Sequence, residues 1–149
     1  MATGTRQDPY LGFNFRVVID SITSAAFKDA SGLDSSTTAV PYREGTDPTN
    51  ITRQIPGLSA HGNITLSRGI ATSKELWAWK ENLLKGVADW RSLSIELWDA
   101  ANKEKKMQWD FREVWPTKWT GPAFDASSDS IAIESLELVH EGIEVKEWK

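Results

Sequence analysis

The sequence predicts a mostly β protein, an antiparallel β-sandwich or barrel with one flanking α-helix and an extended β-hairpin arm. Three observations carry this. Apolar and polar residues alternate with a period of two in several separate stretches. Only one stretch shows the three- and four-residue apolar spacing of a helix. The alternating stretches follow one another through polar turns rather than helices, which removes a βαβ rhythm and leaves antiparallel pairing. Seven or eight strands are expected, all within a single domain covering residues 1–149.

Phe13, Phe15, Val17 and Ile19 alternate with Asn14, Arg16, Val18 and Asp20, a clear strand. Residues 25–29 read as a second strand, joined by a short Ser/Thr turn and expected to pair with the first. Residues 32–38 are small and polar and read as a loop. Strand-like residue types then occupy 40–44 and 50–55, with Gly45-Thr46-Asp47-Pro48 as strong turn chemistry between them. This predicts a hairpin arm over about 40–57, ended by the Pro56-Gly57 break. Arg43, Glu44 and Arg53 place charge along it, and neither half offers an uninterrupted apolar face. An isolated hairpin is marginal in water, so the arm makes most sense as a reach toward another subunit.

Ile64 and Leu66 alternate with Asn63, Thr65 and Ser67 in the next strand, which Gly69 stops. Thr72-Ser73-Lys74-Glu75 is a capping-box pattern, and Leu76, Trp79, Leu83 and Val87 follow at helical spacing with Gly86 as the stop. The helix is expected at about 73–85. Leu93, Ile95 and Leu97, then Met107, Trp109 and Phe111, form two alternating strands around the charged turn at 99–105. Residues 115–122 contain two prolines and a glycine and are expected to be irregular. In the last long strand Ile131 and Ile133 share one face, but Leu136 and Leu138 carry the pattern on the other. The slip calls for a bulge near Ser135 or for a strand that bends between sheets. A short final strand is expected at 142–148.

Composition excludes several functions. A chain of 149 residues buries roughly 70% of its unfolded surface and needs no disulfide or metal to fold. The absence of Cys removes disulfide scaffolds, thiolate nucleophiles and Cys-based zinc sites. A net charge of −4 argues against a nucleic-acid-binding face. No apolar run approaches a membrane span, and the polar start lacks a secretory h-region, so the chain is expected to be made and kept in a cytoplasm until assembly or release. His61 and His140 have no ligand partner at metal spacing, and the serines lack a nucleophile-elbow context. Ser67-Arg68-Gly69-Ile70 has no second glycine for a phosphate cradle. No enzyme and no cofactor is expected.

Eight tryptophans are the main counter-observation, since exposed aromatics on a β-sandwich can stack on sugar rings. Trp79 and Trp109 are in phase with core positions, whereas Trp77 and Trp98 are out of phase and are better interface candidates.

Seven segments in order give a resemblance over nearly the whole chain. They are Asp8-Pro9-Tyr10 with Phe13 and Phe15, then Ser31-Gly32-Leu33, Tyr42-Arg43-Glu44-Gly45, Ile55-Pro56-Gly57 and Asn63-Ile64-Thr65-Leu66-Ser67-Arg68-Gly69. Trp115-Pro116-Thr117-Lys118-Trp119-Thr120-Gly121-Pro122 and residues 134–142 complete the series. Together they resemble the tail tube proteins of contractile phages and phage-tail-like contractile injection systems. The resemblance implies a structural subunit whose homo-hexameric rings stack into the hollow inner tube of such a particle. The tube would sit inside a sheath between a baseplate with its spike and a tail terminator, and would conduct DNA or effector cargo without binding it specifically. It would be assembled in a bacterial cytoplasm and become part of a phage tail or injection particle. Candidate interface residues are Tyr42, Arg43, Glu44, Gly45, Arg53, Pro56, Gly57, Arg68 and Gly69. Two other readings are a tryptophan-rich carbohydrate-binding module, which predicts a monomer, and a type VI-like secreted ring protein.

Overall fold

The computed structural model describes residues 8–20, 22, 27–70 and 72–149. Its strands are β1 (Phe15–Ile19), β2 (Asp29–Ser31), β3 (Ser36–Tyr42), β4 (Arg53–Ala60), β5 (Ile64–Gly69), β6 (Arg91–Trp98), β7 (Lys105–Thr120), β8 (Ile133–Val139) and β9 (Gly142–Trp148), with α1 (Glu75–Leu84) between β5 and β6. All pairings are antiparallel. Seven strands make one continuous sheet in the order β1-β6-β7-β8-β5-β2, with β9 also on β7. Among the described residues the path is open, ending on β1 and β2, so the described body is a folded-over sheet. Among the described residues the remaining two strands, β3 and β4, pair only with each other.

The alternating sequence builds the core directly. Ile19, Leu93, Phe111 and Ile143 lie in one row across β1, β6, β7 and β9. Ile64 faces Leu138 and Leu66 faces Leu136 across β5 and β8. Inward side chains from both halves join Leu76 and Trp79 of α1 in one buried cluster. Facing pairs of this kind are the unit of sheet stabilisation.

β7 makes this possible. Its first half lies between β6 and β9, and its second half pairs with β8. Glu113 has a φ of 53° where the two halves meet. Phe111 and Val114, three residues apart, both point inward across this extra residue. The expectation of irregular structure after Trp115 is therefore corrected: the strand continues to Thr120. Pro116 is tolerated inside it because the register with β8 shifts between Pro116 and Lys118, where a ladder bond is already lost.

Three further expectations change. Residues 23–26 lie outside the described residues, and the described part of the second strand, β2, pairs with β5 rather than β1. The capping box does not form, since Lys74 is the N-cap and the Ser73 hydroxyl accepts only the Glu75 N–H, at 3.4 Å. The stop at Gly86 does form, with φ of 82° and with the Val87 and Gly86 N–H groups on the Asn82 and Leu83 carbonyls, a Schellman pattern. The buried stripe of α1 ends earlier than expected: Leu83 is half-buried and Val87 exposed.

The phase slip in β8 has a different cause from a bulge. Glu134, Leu136 and Leu138 point inward in unbroken alternation, and Ile131 precedes the strand and is 79% exposed. The inward charge at Glu134 faces Arg68 on β5. The Arg68 Nε donates to Glu134 Oε1 at 2.8 Å, and its Nη2 donates to the Ser73 carbonyl at 3.2 Å just before α1. A buried charge is tolerated only when paired and hydrogen-bonded, and this pair continues the apolar rows of β5 and β8 with a polar rung.

Candidate subunit interface

The hairpin arm is longer than its sequence suggests. It spans residues 36–60, with Ser36 opposite Ala60 and Tyr42 opposite Arg53. The small polar residues read as a loop form the first half of β3, and Pro56-Gly57 lies within β4 rather than ending it. The register shifts between Thr37 and Ala39, opposite Gly57 and Leu58. Gly57 is required there, since a Cβ would lie 2.9 Å from Val40 Cγ2 and 3.0 Å from the Thr38 carbonyl oxygen. Pro56 sits on an edge strand beside the irregularity, where its missing N–H costs least.

Every residue of both strands is exposed. Val40 faces Ile55 and Tyr42 faces Arg53, so pairing brings Val40, Tyr42 and Ile55 onto one face of the ribbon. The stripe is legible only in the paired hairpin, because each strand alone is broken by polar residues. Leu58, at the bulge, is 87% exposed. An exposed apolar patch on an element with no core of its own marks a contact surface.

The tip is held from within. Arg43 Nε donates to the Thr49 carbonyl at 3.0 Å and its Nη2 to the Asp47 carbonyl at 3.2 Å. The Asp47 carboxylate accepts the Glu44 N–H at 3.0 Å and lies 3.5 Å from Arg53 Nη2. The Tyr42 hydroxyl donates to Glu44 Oε1 at 3.4 Å. Arg43 therefore shapes the turn, and its charge is not simply offered to a neighbour as the sequence suggested. Gly45 has open space around it.

The other two candidates stand apart from the arm. Arg68 is 6% exposed and is spent on Glu134, which corrects the expectation that it meets another subunit. Gly69 is exposed at the end of β5.

The arm joins the body through a tightly built root. The Gly62 N–H donates to Asp34 Oδ1, and a Cβ at Gly62 would lie 2.5 Å from Asp34 Oδ2. Gly32, with φ of 97°, approaches Asn63 so closely that a Cβ would lie 2.0 Å from its carbonyl oxygen. The His61 ring lies 5.3 Å from the His140 ring at 29°, a stack that sequence distance had hidden. His140 in turn meets Phe111 of the core edge-to-face at 4.9 Å. Burial and then the nearby His61 hold the His140 pKa below the ordinary histidine value, while backbone groups of Gly142 and Gly62 and the Asp34 carboxylate pull the other way.

Of the tryptophans, Trp79 is fully buried and Trp109 packs against the core, as expected. Trp77 is 36% exposed and meets Trp119 edge-to-face. Trp98 is corrected as an open interface candidate: the Arg16 guanidinium covers its ring at 3.7 Å, and its Nε1 donates to Glu96. Trp90 and Trp148 are more exposed than either. Among the described residues no group of three His, Asp or Glu side chains is placed to hold a metal ion, and no helix is long and apolar enough to cross a membrane.

The chain is similar to a subunit of a PVC extracellular contractile injection system sheath-tube complex in its extended state. The two share 28% identity over 93% of this chain and 92% of that one, with a TM-score of 0.83. It is similar to a chain of the anti-feeding prophage tube terminating cap, at 28% identity over 98% and 96%, with a TM-score of 0.85. Hcp1 from Flavobacterium johnsoniae, at 15% identity over 88% and 93% and a TM-score of 0.53, shares the fold. No curated protein matches the chain. The family described as T4-like virus tail tube protein gp19 matches residues 11–144. With nearly the whole described body inside that match, the chain belongs to this tail tube family and is a structural subunit of a tube.

Proposed function

We propose that the protein forms homo-hexameric rings that stack into the hollow inner tube of a contractile tail or injection particle. The observation that carries this is the β3–β4 arm, a ribbon wholly exposed in the protomer that presents Val40, Tyr42 and Ile55 on one face. Its occupant is a second copy of the chain. Tyr42, Arg53, Pro56, Gly57 and Leu58 supply the contact along the ribbon, Arg43, Glu44 and Gly45 shape and present its tip, and Gly69 lies at an exposed strand end. A contact from arm to a different surface is head-to-tail, and such contacts give a ring when the rotation closes and a filament when it does not. The work is mechanical, with no bond chemistry and no cofactor.

By analogy with the sheath-tube, cap and baseplate assemblies that contain similar chains, the tube runs inside a sheath from a baseplate and spike to a terminator. It assembles in a bacterial cytoplasm and conducts DNA or an effector without specific binding. An acidic wall would repel phosphate and keep a nucleic-acid cargo mobile.

Negative-stain microscopy of the purified protein, with mass photometry over a concentration series, tests the reading. Six-membered rings and tubes are expected. A 16.7 kDa monomer at every concentration overturns it.

A further inference from the structure

From the stacked histidines at the root of the arm, we propose that the protein carries an acid-released latch. Protonation of His140 breaks its stack on His61 and frees the β3–β4 arm from its fixed angle to the body. The consequence for assembly rests on the arm being an intersubunit element; the latch itself does not.

The arm has few ties to the body. Among the described residues β3 and β4 pair only with each other. The connections lie at the root end of the ribbon, where residue 34 leads into β3 and residues 61–63 leave β4. One tie is the Gly62 N–H on the Asp34 carboxylate, and a second is the His61 Nδ1 3.3 Å from the Asp34 carbonyl. The third is the Asn63 side-chain amide, donating to Glu137 Oε1 on β8 at 2.9 Å. The fourth is the ring stack, which reaches the core through His140 onto Phe111.

Near-parallel rings present faces rather than nitrogens to each other, so the pair does not make a metal site. A neutral His140 stacks on His61 without penalty, whereas a charge on His140 must be carried in a partly desolvated place between the His61 and Phe111 rings. Asp34, from the segment before β3, is the carboxylate whose charge acts on His140. On β8, Glu137 is engaged by Asn63. On β7, Arg112 lies against Gly142 and donates to the Glu141 carbonyl. The Asp34 and Glu137 carboxylates are each already engaged, by the Gly62 N–H and by the Asn63 side-chain amide.

The direction follows from linkage. His140 titrates below the ordinary value of about 6.5, chiefly because it is buried. Below that value the released state binds more protons than the latched one, so the latch weakens as pH falls and is fully held at neutral pH.

Hydrogen–deuterium exchange on the full chain tests this, at pH 7.5 and pH 5.0, with rates corrected for intrinsic exchange. Amides of 57–63 are expected to exchange at least tenfold faster at pH 5.0. His140→Phe keeps an aromatic ring on Phe111 without a titrating group, and His61→Gln removes the stacking partner. His140→Phe is expected to lose the pH response while keeping the pH 7.5 rates within threefold, and His61→Gln, with the stack gone, is expected to exchange at least threefold faster than the parent already at pH 7.5. A parent with equal corrected rates at the two pH values overturns the proposal, as does His140→Phe retaining the tenfold rise or His61→Gln exchanging like the parent at pH 7.5. Microscopy of the same samples at pH 7.5 reads the assembly independently: absence of tubes there overturns the tube reading and leaves the latch result standing.

Discussion

The body and the arm are held together by opposite means. In the body, apolar side chains from β1, β5, β6, β7, β8 and α1 share one core, and a polar rung inside it, Arg68–Glu134, is buried with them. In the arm there is no core; its shape comes from strand pairing, the Asp47 and Arg43 contacts at the tip, and the Gly62 and His61 contacts at the root. Defects in the body therefore appear as lost folding free energy, and defects in the arm as lost assembly of an intact subunit.

The largest expected effect is on the polar rung. Arg68→Ala leaves Glu134 buried without its guanidinium and is expected to cost about 3–5 kcal/mol in chemical denaturation, as broken buried pairs do. Restoring packing with Arg68→Met and Glu134→Leu together is expected to recover most of that loss. Leu136→Ala opens a cavity in the same row and is expected to cost about 2–5 kcal/mol. Either variant unfolding at the parent's denaturant midpoint would show that this part of the body is not where stability resides.

Removing residues 43–53 and joining the strands by a short turn is expected to change unfolding free energy by no more than about 1 kcal/mol, because the segment buries nothing in the body. Tubes should be absent under the microscope. Loss of the folded circular dichroism spectrum would instead place the arm inside the folding unit. Leu58→Ser sharpens the same contrast: stability within about 0.5 kcal/mol of the parent, with shorter or fewer tubes.

The smallest expected effect lies at the end of α1. The hydrogen bond from Arg91 holds the Asp89 pKa below its ordinary value, with Asn82 adding to it against the opposing effect of burial. A depressed carboxylate adds stability above its unfolded pKa, and that stability is lost as pH falls through the folded one. Asp89→Asn is therefore expected to be less stable than the parent at pH 6 and to converge toward it below about pH 4. A gap that stays constant down to pH 3 would assign the effect to packing.

Much of the body was legible because a period of two needs no knowledge of the partner strand. Val17 and Ile19, Leu93 and Ile95, and Met107 and Phe111 all fall on the buried faces that their alternation gave. What was misread depended on partners distant in sequence. Glu134 looked like a break in phase because Arg68 lies sixty-six residues away along the chain. Pro116 and Pro56 looked like strand ends because the register irregularities that accommodate them are set across the ladder. At the candidate interface the tip was found by turn chemistry, yet its apolar face was hidden, since Val40 and Ile55 meet only once the hairpin closes. The histidine stack had no local signal at all.

The place of β7 in both halves of the sheet has a kinetic consequence. The longest pairing distance within the arm is 24 residues, from Ser36 to Ala60, whereas Phe15 must find Leu97 and Ile64 must find Leu138. The β6–β7 hairpin of the body is as local as the arm, so both can close before the long-range rows, but a hairpin without a core stays marginal until it is buried. Because neither half of the body's sheet is complete without β7, the body has no seam along which it could fold in stages, and its sheet is expected to condense in one slow step. New subunits are then captured only after β7 has closed.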